Sequence, residues 1–261
     1  MRTRIKRELA RLGGSTPARG ATVLIYHRVG GGSPDELDVS ADGFARQLDA
    51  LAGHAVLPLD AALDRLAAGD DSPTVVLTFD DGFQDVYANA WPLLLDRGLP
   101  FTLYLATAFL GGTMAWEGST AKAGGPALSW AQVAEMVGSG LCTPGNHTHR
   151  HVPPTRLTEA ELDECSAAVE ANVGVRPQHF AYPWGIPVPV AEPGLRARFR
   201  SAATGHLGRN LPDTDPLRLL RVPVRRTDPL EFFRAKLAGG LLPERAYAGL
   251  VTTAKRVGVR G

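Results

Sequence analysis

Short apolar runs, separated by stretches with helical spacing, constrain the fold of this 261-residue chain more than any other feature. Runs at 22–26, 56–59, 74–79, 101–105, 141–143, 179–182, 202–204 and 219–224 read as strands, and several are apolar almost throughout. Strands buried on both faces have this character in parallel sheets covered by helices. Between them, Phe44, Leu48 and Leu51 mark a helix ended by Gly53, and Val86, Trp91 and Leu94 mark another before Gly98. Ser129 with Gln132, and Thr158 with Glu161, match capping boxes. They open helices that hold Val133 and Met136, and Leu162, Cys165 and Val169, the latter closed by Gly174. This alternation predicts an α/β fold, a single irregular (β/α) barrel rather than a sandwich. Residues 1–20 form a basic N-terminal segment, and 21–261 form the barrel with its C-terminal helices.

The run 74–79 delivers two adjacent carboxylates, Asp80 and Asp81, to one spot before Gly82. Asp-Asp-Gly is also an ordinary turn sequence, so the pair gains meaning only from its company. Downstream, His147 and His151 have the i, i+4 spacing that puts two imidazoles on one face of a helical turn. His149 lies off that face. One carboxylate and two imidazoles make an open metal site, and oxygen with nitrogen donors suits zinc or a similar late divalent ion better than calcium or magnesium. Metal-assisted hydrolysis is the expected chemistry.

Thr78-Phe-Asp-Asp-Gly82, His147-Thr-His-Arg-His151 and Phe180-Ala-Tyr-Pro-Trp-Gly185, in that order, resemble the polysaccharide deacetylase family. This is carbohydrate esterase family 4, the NodB-homology domain, and the resemblance spans about Val23 to Val224. It implies an irregular barrel in which Asp80 is the general base, Asp81, His147 and His151 hold the metal, and a backbone N–H near Trp184 serves the oxyanion. The family's late Leu-x-His element, whose histidine is the general acid, has no match near the C-terminus, where His206 is the last histidine. Instead, Val23-Leu-Ile-Tyr-His-Arg-Val29 resembles the corresponding strand of the circularly permuted branch that includes poly-N-acetylglucosamine deacetylases, so His27 is expected to be the acid. Ala181 stands where many members carry an arginine that orients the base. Arg221 is a candidate substitute, the other reading being an ordinary strand-end surface arginine. Tyr182 of the third motif, and Trp116 from the loop 111–119, are the expected substrate contacts, with Trp184 also able to stack on a sugar.

The resemblance implies one divalent metal ion, zinc first and cobalt or nickel next, and an N-acetylated carbohydrate as substrate. The expected reaction is hydrolysis of the acetamide of an N-acetylhexosamine unit. An O-acetyl carbohydrate esterase and a noncatalytic carbohydrate-binding descendant are the alternatives. His27, Asp80, Asp81, His147 and Trp184 each follow a predicted strand, so all should gather at the C-terminal face of the barrel. A net charge of +1 supplies no basic field, and no nucleic-acid motif is present, so nucleic acid is not an expected partner. The basic start, Met1 to Leu12, lacks the apolar core of a signal peptide, and no segment is long enough to span a bilayer, which predicts a cytoplasmic enzyme. Ile5, Leu9 and Leu12 share a helical face that could touch an anionic membrane surface weakly or dock on the protein. Cys142 and Cys165 fit no zinc knuckle or disulfide framework and read as buried thiols.

Overall fold

The computed structural model describes every residue except 12, 14–17, 117–123, 240 and 257–261, with the backbone alone for 252–256. Seven parallel strands close on themselves: β1 (Ala21–Tyr26), β2 (Thr74–Phe79), β3 (Phe101–Leu105), β4 (Cys142–Asn146), β5 (His179–Ala181), β6 (Ser201–Leu207) and β7 (Leu219–Pro223). Each pairs with the next in sequence. The ring closes because β1 pairs with β2 from Ala21↔Thr74 to Tyr26↔Phe79 and also with β7 at Leu24↔Val222.

Strand alternation divides the apolar residues into two cores. Val23, Val76, Tyr104, Ala181, Ala203 and Leu219 fill the barrel interior. Leu24, Leu77, Phe79, Leu103 and Val222 face outward and meet Phe44, Leu48, Trp91, Leu94, Val133 and Met136 from the surrounding helices. Burying side chains of this size stabilises by roughly 1.5–3 kcal/mol each, which is why a near-continuous apolar run settles between the two layers. The helix Leu59–Ala67 adds Leu59, Ala62, Leu63 and Leu66 to the interior cluster. It lies where the strands begin, with the Asp60 carboxylate 3.3 Å from Nε2 of His179 at the start of β5.

The predicted strand at 56–59 is only Ala55–Val56, paired with the start of β2. Pro58 has no N–H to donate to a ladder, and Leu59 already opens a helix. Ser129 and Gln132 form the full reciprocal capping box. Thr158 forms only half of one: its hydroxyl accepts from the Glu161 N–H, while the Glu161 side chain points elsewhere. Gly174 closes that helix in the left-handed conformation, as its lack of Cβ allows. Both cysteines are buried free thiols.

The N-terminal helix Arg2–Ala10 docks on the protein through its one buried residue, Lys6. Lys6 Nζ donates to Asp228 Oδ1 at 2.7 Å and Thr227 Oγ1 at 2.8 Å, and sits 4.3 Å from the Tyr247 ring centroid. Lys236 bonds the same carboxylate from Leu230–Leu237. Burial opposes the charge of Asp228, yet the two ammonium groups outweigh it and hold the carboxyl below its ordinary range. Ile5 and Leu9 are half-buried, and Leu12 lies outside the described residues. Among the described residues, no helix is long and apolar enough to cross a membrane.

Candidate active site

The strand ends aim the chemistry at one place. Beyond Phe79, the Asp80 N–H donates to the Tyr26 carbonyl at 3.0 Å, and Asp81 turns the chain with φ 76 before Gly82. The histidine segment is not the helical turn that its spacing predicts. It is a loop leaving β4, with Thr148 at φ 64 and His151 at φ 48. Long-range bonds override the local periodicity. Asn146 accepts from the Thr148 N–H at 2.9 Å and donates to Leu162 O at 2.8 Å and Ser166 Oγ at 2.9 Å. The Glu161 carbonyl receives the His149 N–H, and its carboxylate receives the Arg150 N–H and guanidinium, each at 2.8 Å. His149 turns away to Thr107 Oγ1 at 2.9 Å.

Glu161 therefore anchors the segment between the two histidines, a role the sequence pattern hid by offering it as a helix cap. Glu161→Ala is expected to weaken metal binding by about 10–100-fold, the range typical when groups supporting metal ligands are lost. Glu161→Gln keeps an acceptor for the Arg150 N–H and should recover most of that loss. Zinc titration of the two variants checks the difference, which a merely destabilised fold would not produce.

Asp81, His147 and His151 present ligand atoms that all lie within 4.8 Å of one another, and all three are buried. Asp81 Oδ1 is 3.3 Å from His147 Nε2 and 3.4 Å from His151 Nε2, yet it has no aligned hydrogen bond. His147 Nδ1 lies 2.8 Å from the Ala181 carbonyl, which can only accept, so Nδ1 carries the proton. In its neutral form His147 then turns the lone pair of Nε2 toward a carboxylate, and two acceptors at that distance call for a positive charge between them, which in the metal-free protein a proton on Nε2 supplies. These donors fit a late divalent cation. The titration behaviour agrees. Burial opposes charge on Asp81, but His147, His151 and His27 hold its carboxyl well below the usual range. Burial likewise opposes charge on His147, yet the Asp81 contact outweighs it and raises its pKa, while burial pushes His151 down to about 4.

Asp80 is positioned by a different group. Arg221, from β7, donates through Nη1 to Asp80 Oδ1 at 2.8 Å and through Nε to the Thr204 carbonyl at 2.8 Å. Both side chains of this ion pair are sealed, at 1% and 2% exposure, so Arg221 is not a surface arginine. Burial favours the neutral acid, but Arg221, with His147 and His27, lowers the Asp80 pKa and keeps it ionised.

His27, Asp80, Asp81, His147, His151, Trp184 and Arg221 line one cavity of about 310 Å³. His27 Nδ1 is buried and finds no hydrogen-bond partner. Trp184 is held at φ 63 and 41% exposed. Its turn is clamped by Gly185, whose N–H donates to Tyr182 O at 2.9 Å and whose missing side chain lets it meet the Gly205 backbone. Trp116 and Trp184 flank His151, with ring centroids at 4.2 and 5.5 Å from it.

Tyr182 corrects an expectation. Its ring is fully buried with Leu162, Phe180, Leu195 and Phe199, outside the cavity. Ala181 faces the barrel interior, so strand alternation turns Tyr182 to the opposite side, under the helices. Ile25, Asp35, Leu37 and Gly205 also line the cavity and were not foreseen. Alternation could have found Ile25, two residues before His27; nothing local marks Asp35, which lies in a loop.

The model of the polysaccharide deacetylase family matches residues 67–189. The structure of IcaB from Ammonifex degensii is 31% identical, covering 85% of this chain and 98% of its own, with a TM-score of 0.72. The chain belongs to the polysaccharide deacetylase family. Its fold is also that of BC0361, a polysaccharide deacetylase from Bacillus cereus, at 22% identity over 85% of this chain and 69% of the other, TM-score 0.69. The Streptococcus pyogenes deacetylase PplD, in complex with acetate, shares the fold at 21% identity over 85% and 99%, TM-score 0.70. No curated protein matches the sequence. As a polysaccharide deacetylase, the chain is a carbohydrate-deacetylating hydrolase whose substrate is an acetylated carbohydrate. The family match covers Asp80, Asp81, His147, His151 and Trp184 but leaves out His27, the residue after β1, and Arg221 on β7, which lie beyond its two ends.

Proposed function

We propose that this polysaccharide deacetylase is a metal-dependent N-deacetylase that hydrolyses the acetamide of an N-acetylhexosamine unit and releases acetate. The observation that carries this reading is the sealed Asp80–Arg221 pair beside the Asp81, His147 and His151 group, with His27, its buried Nδ1 free of any hydrogen bond, on the same cavity. A divalent cation held by Asp81, His147 and His151 would supply the Lewis acidity that polarises the acetyl carbonyl and acidifies water. Asp80, kept ionised by Arg221, accepts the proton of the attacking water. The Gly185 N–H is committed to Tyr182, so the Trp184 N–H is assigned to the developing oxyanion. An amine leaves poorly without a proton, and His27 supplies it from the cavity wall.

The test is acetate release by metal-free protein before and after adding zinc, cobalt or nickel, on N-acetylglucosamine oligomers and simple N-acetylglucosaminides, with Asp80→Asn as control. Metal-restored release that disappears in Asp80→Asn is the expected result. Release that persists in the metal-free protein or in the control would overturn it. His27→Ala separates amide from ester chemistry, because an alkoxide leaves with less protonation: N-acetyl turnover should fall far more than O-acetyl turnover.

A further inference from the structure

Two residues on the wall of the catalytic cavity, Asp35 and Leu37, come from a loop, and the residue between them, Glu36, is engaged elsewhere. Glu36 Oε2 accepts from the Thr227 hydroxyl at 2.6 Å, Oε1 lies 3.0 Å from Arg2 Nη1, and the carbonyl accepts the Arg226 N–H at 2.7 Å. Thr227 Oγ1 in turn receives the Lys6 ammonium at 2.8 Å. An ammonium can only donate, so the single hydroxyl proton of Thr227 is committed to Glu36. Arg2 and Lys6 both belong to the N-terminal helix, and both therefore bear on Glu36, one directly and one through Thr227. We propose that Glu36 is a positioning residue through which the N-terminal helix holds one wall of the catalytic cavity, so that substrate affinity depends on contacts that lie outside the cavity. This rests on the N-deacetylase reading.

The other bonds of the loop are short-range. Asp35 Oδ1 accepts the Leu37 N–H at 2.9 Å, and the Asp38 carboxylate accepts the Gly31 and Ser33 N–H groups at 2.9 and 2.7 Å. These fix the shape of the loop, whereas the Glu36–Thr227 bond spans 191 positions and fixes where the loop sits. The Arg2 contact is more exposed and contributes less. His27 is held separately: next to it, the Arg28 guanidinium and the Val29 N–H reach Asp85 at 2.8 and 3.0 Å, and the Tyr26 carbonyl takes the Asp80 N–H. Releasing Glu36 thus leaves the proposed acid and base in place and loosens only the wall. A wall that is loose in the free enzyme must be ordered when the sugar arrives, and that cost falls on binding rather than on the chemical step.

Three variants read the link: Glu36→Ala and Thr227→Val break it, while Glu36→Gln keeps an oxygen for the Thr227 hydroxyl. With metal-loaded enzyme on N-acetylglucosamine oligomers, both breaking variants should raise KM about tenfold, the cost of immobilising one or two side chains, with kcat within about twofold of the parent. Glu36→Gln should return KM close to the parent value, and the double variant Glu36→Ala, Thr227→Val should be no worse than either single one, since both remove the same contact. Amide hydrogen exchange in the metal-free protein reads the link without turnover. Exchange at Ser33 and Leu37 should quicken in both breaking variants, while Val76 and Leu103 on the barrel strands stay protected as in the parent. A KM that is unchanged in both variants, a loss confined to kcat, or exchange at Ser33 and Leu37 that matches the parent would overturn the proposal. If the parent itself releases no acetate, the deacetylase reading fails, and exchange at these two amides alone decides the role of Glu36.

Discussion

Arg221→Leu is expected to lose most turnover and to destabilise the metal-free protein by about 3–5 kcal/mol near neutral pH, the penalty typical of a buried charge stripped of its partner. The guanidinium is the largest influence that offsets burial at Asp80, and the pair is sealed from solvent. The sign with pH follows from that. In the parent, the folded pKa of Asp80 is lowered, so the pair contributes stability above the unfolded carboxyl range and loses it as pH falls through the folded value. Without Arg221, burial raises the pKa, and the penalty grows as pH rises above the unfolded range. Parent and variant should therefore converge in acid and diverge toward neutrality. The acid limb of kcat/KM should move upward as well, because the base ionises later. Urea unfolding at pH 4 and pH 7, with a pH–rate profile, reads both effects; a pH-independent stability difference would refute the assignment of Arg221 to the charge state of Asp80.

Asp81→Asn should abolish tight zinc binding and reduce turnover by roughly a thousandfold or more, since the metal's share of transition-state stabilisation amounts to several kcal/mol. Asparagine is the better probe than alanine. Asp81 is held at φ 76, where asparagine is tolerated and alanine adds strain. The substitution leaves the shape, removes the charge that His147 and His151 face, and reduces the ligand group to two imidazoles and a weak amide oxygen. The His147 pKa should then fall, because the contact that raises it is gone. Isothermal titration with zinc, and NMR titration of the imidazole in the metal-free protein, check the two halves. Undiminished zinc affinity would place the metal elsewhere.

The barrel and its catalytic edge were largely legible in the sequence because their signals are local. A near-continuous apolar run such as 74–79 can bury both faces only between an interior and a helical layer, and the residue after it must emerge at the strand's end. What periodicity misread is equally specific. His147 and His151 look helical by spacing, but Asn146 and Glu161 tie the loop to a helix later in the chain. Four of the positive-φ non-glycine residues, Asp81, Thr148, His151 and Trp184, belong to this site, so local preference is overridden where the chemistry sits. Tyr182 was misplaced because its motif was read as a unit, without the alternation that turns its ring outward. The contact of Arg221 with Asp80 spans 141 positions, and no local pattern reports a pairing at that range. Asp35 reaches the cavity from a loop whose sequence announces only a turn.

The ring closes at β1, between β2 and β7, and this seam carries His27 and the aspartate pair just past the ends of two strands and Arg221 on the third. The three residues suited to a metal, Asp81, His147 and His151, come from the second and fourth strands' ends, whereas the proposed acid His27 follows the first strand and Arg221, which pairs with Asp80, sits on the last. On the proposed mechanism, activity depends on closure of the ring, because the last strand, paired with the first, is what brings Arg221 to Asp80.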